Sequence, residues 1–219
     1  MVYSEVGLDG SIFAPPDLPS AIRQAKAPVL TGAAGERIRD GRWLELAQLN
    51  TGQVNQVERR FDWESFWQRP VFDELEFHPI AARAMTVAAV GDLNMLLAGA
   101  QGSGKTTWAR ALYALTTTPE VERMCELEEM FGEDALSPRW RPFENPHHSI
   151  TPLAMVGGGA PIYPGVISRA HGGVLVMDEF LEFHPAVLEA LREPVESGYV
   201  IHARRGERTQ FPAQFQLLA

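Results

Sequence analysis

Residues 94–112 read NMLLAGAQGSGKTTWARAL, a short apolar run, a glycine-rich loop and a helical pattern in immediate succession. Gly99, Gly104, Lys105 and Thr106 satisfy the pattern G-x-x-x-x-G-K-[ST]. This order of parts constrains the fold more than any other feature of the chain, because the loop works only between a strand and a helix. Glycines allow positive φ angles and a close backbone approach, so that successive N–H groups can point at phosphate oxygens. The helix that follows adds the partial positive charge of its N-terminus. The spacing predicts a buried parallel strand over 94–98 and a phosphate loop formed by Gly99, Ala100, Gln101, Gly102, Ser103, Gly104, Lys105, Thr106 and Thr107. A helix then carries Trp108, Leu112 and Leu115 on one face, with Trp108 read as core packing rather than as an adenine contact. Lys105 would reach the β- and γ-phosphates and the Thr106 hydroxyl would ligate Mg²⁺. The bland alternative is a glycine-rich turn that happens to precede a lysine.

A second signal bears on that choice. GGVLVMDEF, residues 172–180, reads as another buried strand with two carboxylates just past its apolar part. Strands often end in acidic turns, so this stretch alone says little. Together with a phosphate loop it gains a chemistry: Asp178 would hold the magnesium through water, and Glu179 would orient and activate the attacking water. The expected fold is therefore α/β, a P-loop NTPase core with a mostly parallel sheet flanked by helices, and its nucleotide at the C-terminal edge of the strands. The expected activity is Mg²⁺-dependent ATP hydrolysis, with Lys105 and Glu179 as its catalytic side chains.

The remaining punctuation supplies further elements. HPIAARAMTVAAVG predicts a helix starting at Pro79 and stopping at Gly91. PEVERMCELEEMFG predicts an acidic amphipathic helix ending at Gly132, and HPAVLEALREPVESG a helix from Pro185 to Gly198. YVIHARRGERTQF reads as a hairpin turning around Arg205–Gly206, and AQFQLLA begins another strand. GGGAPIYPG, residues 157–165, has too much glycine and proline for a helix or strand core and reads as a loop or hairpin. TGQVNQVERRFDWESFWQRP, residues 51–70, is polar with spaced aromatics and reads as a connector.

Composition narrows the partners. The 219 residues carry a net charge of −9 and a single cysteine, which excludes an internal disulfide and a cysteine-based zinc site. With that charge, contact with DNA requires a local basic element. Arg204, Arg205 and Arg208 form one at the hairpin turn, where they are either a solvated tip or a DNA-contacting finger. His147 and His148 are adjacent and do not readily converge on one metal ion, so NPHHS is read as a polar organising or sensor element. No apolar run approaches the ~18 residues of a membrane span, and the N-terminus lacks a basic region followed by an apolar one. A cytoplasmic protein without membrane contact is expected.

Several of these stretches, RPFENPHHSI, VGGGAPIYPGVISRAHGGVLVMDEF, VLEALREPVESG and FPAQFQL, together with the phosphate loop, closely resemble the magnesium-chelatase-like AAA+ ATPases of the YifB/ComM type. The resemblance runs from about residue 75 to 219, and EVGLDGSI resembles the end of the Lon-protease-like domain that precedes the ATPase module. It implies two domains: residues 1–71, an N-terminal segment and connector left from that domain, and residues 72–219, the AAA+ core. It further implies an insert over residues 153–168, a hairpin over 199–211, assembly into hexameric rings, and a motor acting on DNA in branch migration. Departures include Ala100–Gln101 in place of a proline pair, Glu144 in place of a basic residue and Val166 in place of an acidic one. By the resemblance, sensor 1, the arginine finger and the helical lid would lie beyond Ala219, so the chain is expected to be a fragment or a divergent short member. Two other functions stay open: a motor subunit serving a metal-chelatase partner, and a nucleotide-dependent scaffold that does not hydrolyse.

Overall fold

The computed structural model describes residues 5–6, 12–13, 29–31, 41–46, 54–59, 62–72, 77–99, 104–136, 139–204 and 207–219. The chain divides into two compact units, Met1–Phe66 and Trp67–Ala219. In the first, strands β1 (Glu5–Val6) and β2 (Ile12–Phe13) pair antiparallel. Strand β3 (Val29–Thr31) runs parallel to β4 (Gly41–Leu46), which pairs antiparallel with β5 (Val54–Arg59). A single helical turn, α1 (Trp63–Phe66), follows. The stretch read as a connector therefore holds a full sheet strand. Val54 and Val57 do not alternate with period two, so β5 carries no strand signal of its own and owes its form to the ladder with β4.

The second unit begins with α2 (Pro79–Val90), where His78 caps the N-terminus by accepting from the Ile80 N–H and Gly91 follows the last turn. Helix α3 (Lys105–Leu115) and α4 (Val121–Phe131) come next, the latter stopped at Gly132. Strand β6 (Phe143–Glu144) leads to α5 (Pro152–Val156), a two-residue hairpin of β7 (Gly157–Gly158) and β8 (Tyr163–Pro164), and α6 (Val166–Arg169). Strand β9 (Val174–Val176), α7 (Pro185–Ser197), the antiparallel hairpin β10 (Tyr199–Arg204) and β11 (Glu207–Pro212), and β12 (Gln216–Leu218) complete it. None of the described helices is long and apolar enough to cross a membrane.

Strands β12, β9 and β6 form a parallel sheet in that order, and Met95 adds a parallel bridge to Leu218 at its edge. Side chains of β9 alternate between two cores. Val174 and Val176 join Met85, Ala89, Ala109 and Leu112 from α2 and α3, whereas Leu175 and Met177 join Met155, Ile167, Val187 and Leu191 from the opposite layer. A strand covered on both faces must be apolar at every position, which explains VLVM.

The run 94–98 departs from the buried strand expected. The Met95 and Leu97 N–H groups donate to Leu217 and Ala219, but Leu96 is 73% exposed. Among the described residues this segment has a ladder partner on one side only, so it forms a bridge instead of a strand. The face predicted for α3 is also narrower than expected. Leu112 is buried and Trp108 packs against Phe77 with ring centroids 4.6 Å apart, but Leu115 in the last turn is 40% exposed.

Two buried polar side chains tie together segments that lead into the strands of the sheet. Arg141 is ion-paired with Asp92 and donates from Nε to the Thr117 carbonyl (2.9 Å) and from Nη2 to its hydroxyl (2.6 Å). His171 is 2% exposed, with Nδ1 accepting from the Gln214 N–H (3.1 Å). Its Nε2 then carries the proton and donates to Glu126 (2.8 Å). Burial pushes the His171 imidazole below its ordinary value of 6.5, opposed by Glu126. The unfolded chain therefore takes up this proton at a higher pH than the folded one. The stability that neutral His171 contributes is complete above 6.5 and is lost as pH falls below it. Denaturant titrations at descending pH should show that loss, and His171→Gln should flatten it; an equal slope in both proteins would rule out the linkage.

Candidate functional site

Gly104, the residue before α3, has φ 81° and ψ 23°. A Cβ there would meet nothing nearer than 3.9 Å, so it is the left-handed backbone, not crowding, that calls for glycine. This turn starts the helix with Lys105 and Thr106 in its first turn, at the C-terminal end of the Met95–Ala98 segment. The Lys105 ammonium donates back to the Gly99 carbonyl at 3.3 Å, across the loop.

Seventy-two positions beyond Thr106, Asp178 leaves the end of β9 beside that helix. The Thr106 hydroxyl donates to Asp178 Oδ2 at 2.8 Å. Asp178 Oδ1 accepts from the Glu179 N–H at 3.0 Å, so both oxygens of this carboxylate are held. Glu179 itself adopts φ 55° and ψ 47°, a left-handed conformation that few non-glycine residues take. Such strain persists only where the surroundings impose it, and it clusters at working sites. A cavity of about 710 Å³ opens here, bordered by Gly99, Lys105, Thr106, Asp178 and Glu179, with Leu96 and Phe180 among its apolar walls. It lies at the carboxyl ends of the parallel strands, the general position of ligands in open α/β sheets.

Of the residues expected from the sequence, the structure thus brings Gly99, Lys105, Thr106, Asp178 and Glu179 to one cavity. Gly104 shapes the turn, and Thr107 lies within the first turn of α3, outside the cavity wall. Ala100, Gln101, Gly102 and Ser103 lie outside the described residues, as does Arg205. Arg204 ends β10, and Arg208 is exposed on β11, paired in register with Ala203.

Other contacts had no signal in the sequence. His148, from the turn after β6, stands 3.6 Å from Glu179. Glu144 faces Arg169 at 3.9 Å, so the acidic residue that departs from the family pattern meets a basic partner. Burial raises the Glu144 carboxyl above its ordinary range, and Arg169 opposes that. Gly157 and Gly165 pass so close that a Cβ on either would strike the other's backbone segment, which fixes the base of the β7–β8 hairpin. His202 of β10 lies 3.3 Å from the Val156 carbonyl at the end of α5, tying this hairpin to the longer one.

A threonine at the head of a glycine-capped helix, bonded to an aspartate at the end of a neighbouring parallel strand, is the arrangement of a P-loop NTPase core. Residues 72–219 match the family model described as magnesium chelatase, subunit ChlI. The chain is 42% identical over 223 residues to the YifB protein of Salmonella typhimurium, covering 88% of this chain and 44% of that protein. It is 44% identical over 144 residues to competence protein ComM of Haemophilus influenzae, covering 64% of this chain and 28% of ComM. Among solved structures it resembles a model of the complex between subunits BchI and BchD of magnesium chelatase, with 26% identity and a TM-score of 0.47, over 64% of this chain and 49% of that one. The chain belongs to the magnesium-chelatase-like family of the YifB/ComM type. It spans less than half the length of these two curated relatives.

Proposed function

We propose that this chain binds ATP with Mg²⁺ in the cavity at Lys105 and hydrolyses it, as a module of a ring-forming motor that acts on DNA. The observation that carries this reading is the 2.8 Å contact between Thr106 and Asp178. A hydroxyl and a carboxylate held together are hard oxygen donors, the set that suits magnesium. Thr106 and Asp178 would hold the ion, which when bound supplies charge neutralisation at the phosphate oxygens. Lys105 binds the phosphates from the head of α3. Glu179 orients a water molecule and takes its proton on a carboxylate oxygen. Phosphoryl transfer needs little more from a protein than such positioning and electrostatics.

Support for a motor comes from the family, and for DNA from the likeness to a competence protein and from the arginines of the β10–β11 hairpin. The family model's own description favours the second reading, a motor subunit serving a metal-chelatase partner. Phosphate release measured with and without Mg²⁺ and with and without DNA tests both. Turnover that needs Mg²⁺ and rises with DNA is the expected result. Turnover indifferent to DNA would favour the chelatase partner, and binding without turnover would leave a nucleotide-dependent scaffold.

The hairpin makes a separate prediction. Replacing Arg204, Arg205 and Arg208 together by glutamine should weaken DNA binding and flatten its salt dependence. The slope of log affinity against log salt should fall by roughly 0.9 for each DNA phosphate that an arginine no longer neutralises. An unchanged salt slope would return these arginines to a solvated tip.

A further inference from the structure

Strand β12 gives one rung of its ladder to side chains. Met95 and Leu218 bridge as neighbours in a parallel sheet do. The Met95 N–H donates to the Leu217 carbonyl (2.9 Å) and the Ala219 N–H to the Met95 carbonyl (3.0 Å). Carried one step back, the same pattern would give the Leu217 N–H to the Leu93 carbonyl. The chain departs from it there. The Leu93 N–H donates to the Ala88 carbonyl near the end of α2 (2.9 Å), and the Leu93 carbonyl accepts from Gln216 Nε2 (2.7 Å). The Leu217 N–H donates instead to Asn94 Oδ1 (2.8 Å). Gln216 Nε2 also donates to the Ala88 carbonyl (2.9 Å), so this side chain, 2% exposed, joins β12 to α2 as well.

Two side-chain amides thus stand where a backbone rung would. They sit just before the run MLLA, which is apolar at every position and has no alternation to fix its register on β12. Each residue type suits its task. Gln216 must satisfy two carbonyls from one nitrogen, which a carboxylate could not do, whereas Asn94 needs only an acceptor.

That register matters at the other end of the segment. Gly99 opens the phosphate loop, Lys105 and Thr106 follow it, and Asp178 leaves β9 on the far side of β12. The bond between Thr106 and Asp178 therefore depends on how the loop-bearing segment is set along β12. A slip of one residue would carry the loop about 3.3 Å, more than the length of that bond.

We infer that Asn94 and Gln216 are positioning residues that set the register of the segment bearing the phosphate loop, and through it the meeting of Thr106 with Asp178. This rests on the reading of those two side chains as the pair that holds Mg²⁺. The loop binds phosphate with residues close in the chain, but the ion needs groups from both sides of β12. Losing the amides should therefore show in the affinity that Mg²⁺ adds, and not in the affinity without it. The test is titration of the full chain with a fluorescent ATP analogue, in Mg²⁺ and in EDTA. Asn94→Ala should cut the gain from Mg²⁺ about tenfold and leave the affinity in EDTA unchanged. Asn94→Asp keeps an acceptor for Leu217 and should retain the gain. Gln216→Met, close in size but without donors, should repeat the loss.

A full gain from Mg²⁺ in Asn94→Ala would overturn the inference. So would an affinity that falls equally in Mg²⁺ and in EDTA, the mark of a merely loosened fold, or Asn94→Asp behaving as Asn94→Ala does. Should Gln216→Met fail to fold, the two variants at the exposed Asn94 decide by themselves. A parent protein whose ATP affinity Mg²⁺ does not raise would overturn the reading of Thr106 and Asp178 itself. A parent that shows the gain beside an Asn94→Ala that keeps it would overturn only the role of the amides.

Discussion

Lys105→Ala is expected to weaken ATP binding by about 10²-fold. The ammonium is already drawn over the start of the loop by the Gly99 carbonyl at 3.3 Å, so the cation is in place before any phosphate arrives. A hydrogen bond to a charged group contributes more than a neutral one, and a lysine facing phosphates makes several. Little else should change. Lys105 begins α3, and the residues of that helix that pack the core, Ala109, Ala111 and Leu112, lie deeper along it. Thermal unfolding in the absence of nucleotide should accordingly match the parent protein. Titration with a fluorescent ATP analogue decides the matter, and equal affinity in the variant would rule out phosphate binding by this loop.

Glu179→Gln has the opposite signature. Glutamine keeps the size of the side chain and tolerates the left-handed turn as well or as poorly as glutamate, so the site should keep its shape. What disappears is the ability to take a proton. Turnover should fall on the order of 10²–10⁴-fold while Mg²⁺-dependent ATP binding stays near that of the parent. Binding and phosphate release must be measured on the same preparation. Lost binding would move Glu179 into metal ligation or structure, and retained turnover would remove it from the reaction.

These two variants probe residues that were legible in the sequence for different reasons. Lys105 stands out because its motif is contiguous: the glycines, the lysine and the threonine fall within eight positions. Asp178 and Glu179 are weaker signals, since any buried strand can end in an acidic turn, and they gained meaning only beside the loop. The buried strand itself could be read because apolar cover on both faces leaves no polar position in Val174–Met177. Its counterpart at 94–98 looked the same in sequence and differs in space. Leu96 is exposed because a ladder on one side does not bury a strand, and composition carries no record of how many neighbours a strand has.

Local periodicity, the helix starts at Pro79 and Pro185, the stops at Gly132 and Gly198, and the glycine spacing around Lys105 determined the helices, the long hairpin and the strand–loop–helix unit, because these depend on residues close in the chain. Strand β5 escaped that reading, since its apolar positions follow no period and its partner β4 supplies the ladder. The site itself was decided by the tertiary structure. Thr106 meets Asp178 only because β12 alone separates the edge segment at Met95 from β9, so that residues 72 positions apart share one edge of the sheet. His148 reaches Glu179, Arg141 reaches Asp92 and His171 bridges Glu126 to Gln214 for the same reason. A side chain's chemical type is written in the sequence, but its partner is set by strand order and packing, which bring together groups that no local pattern connects.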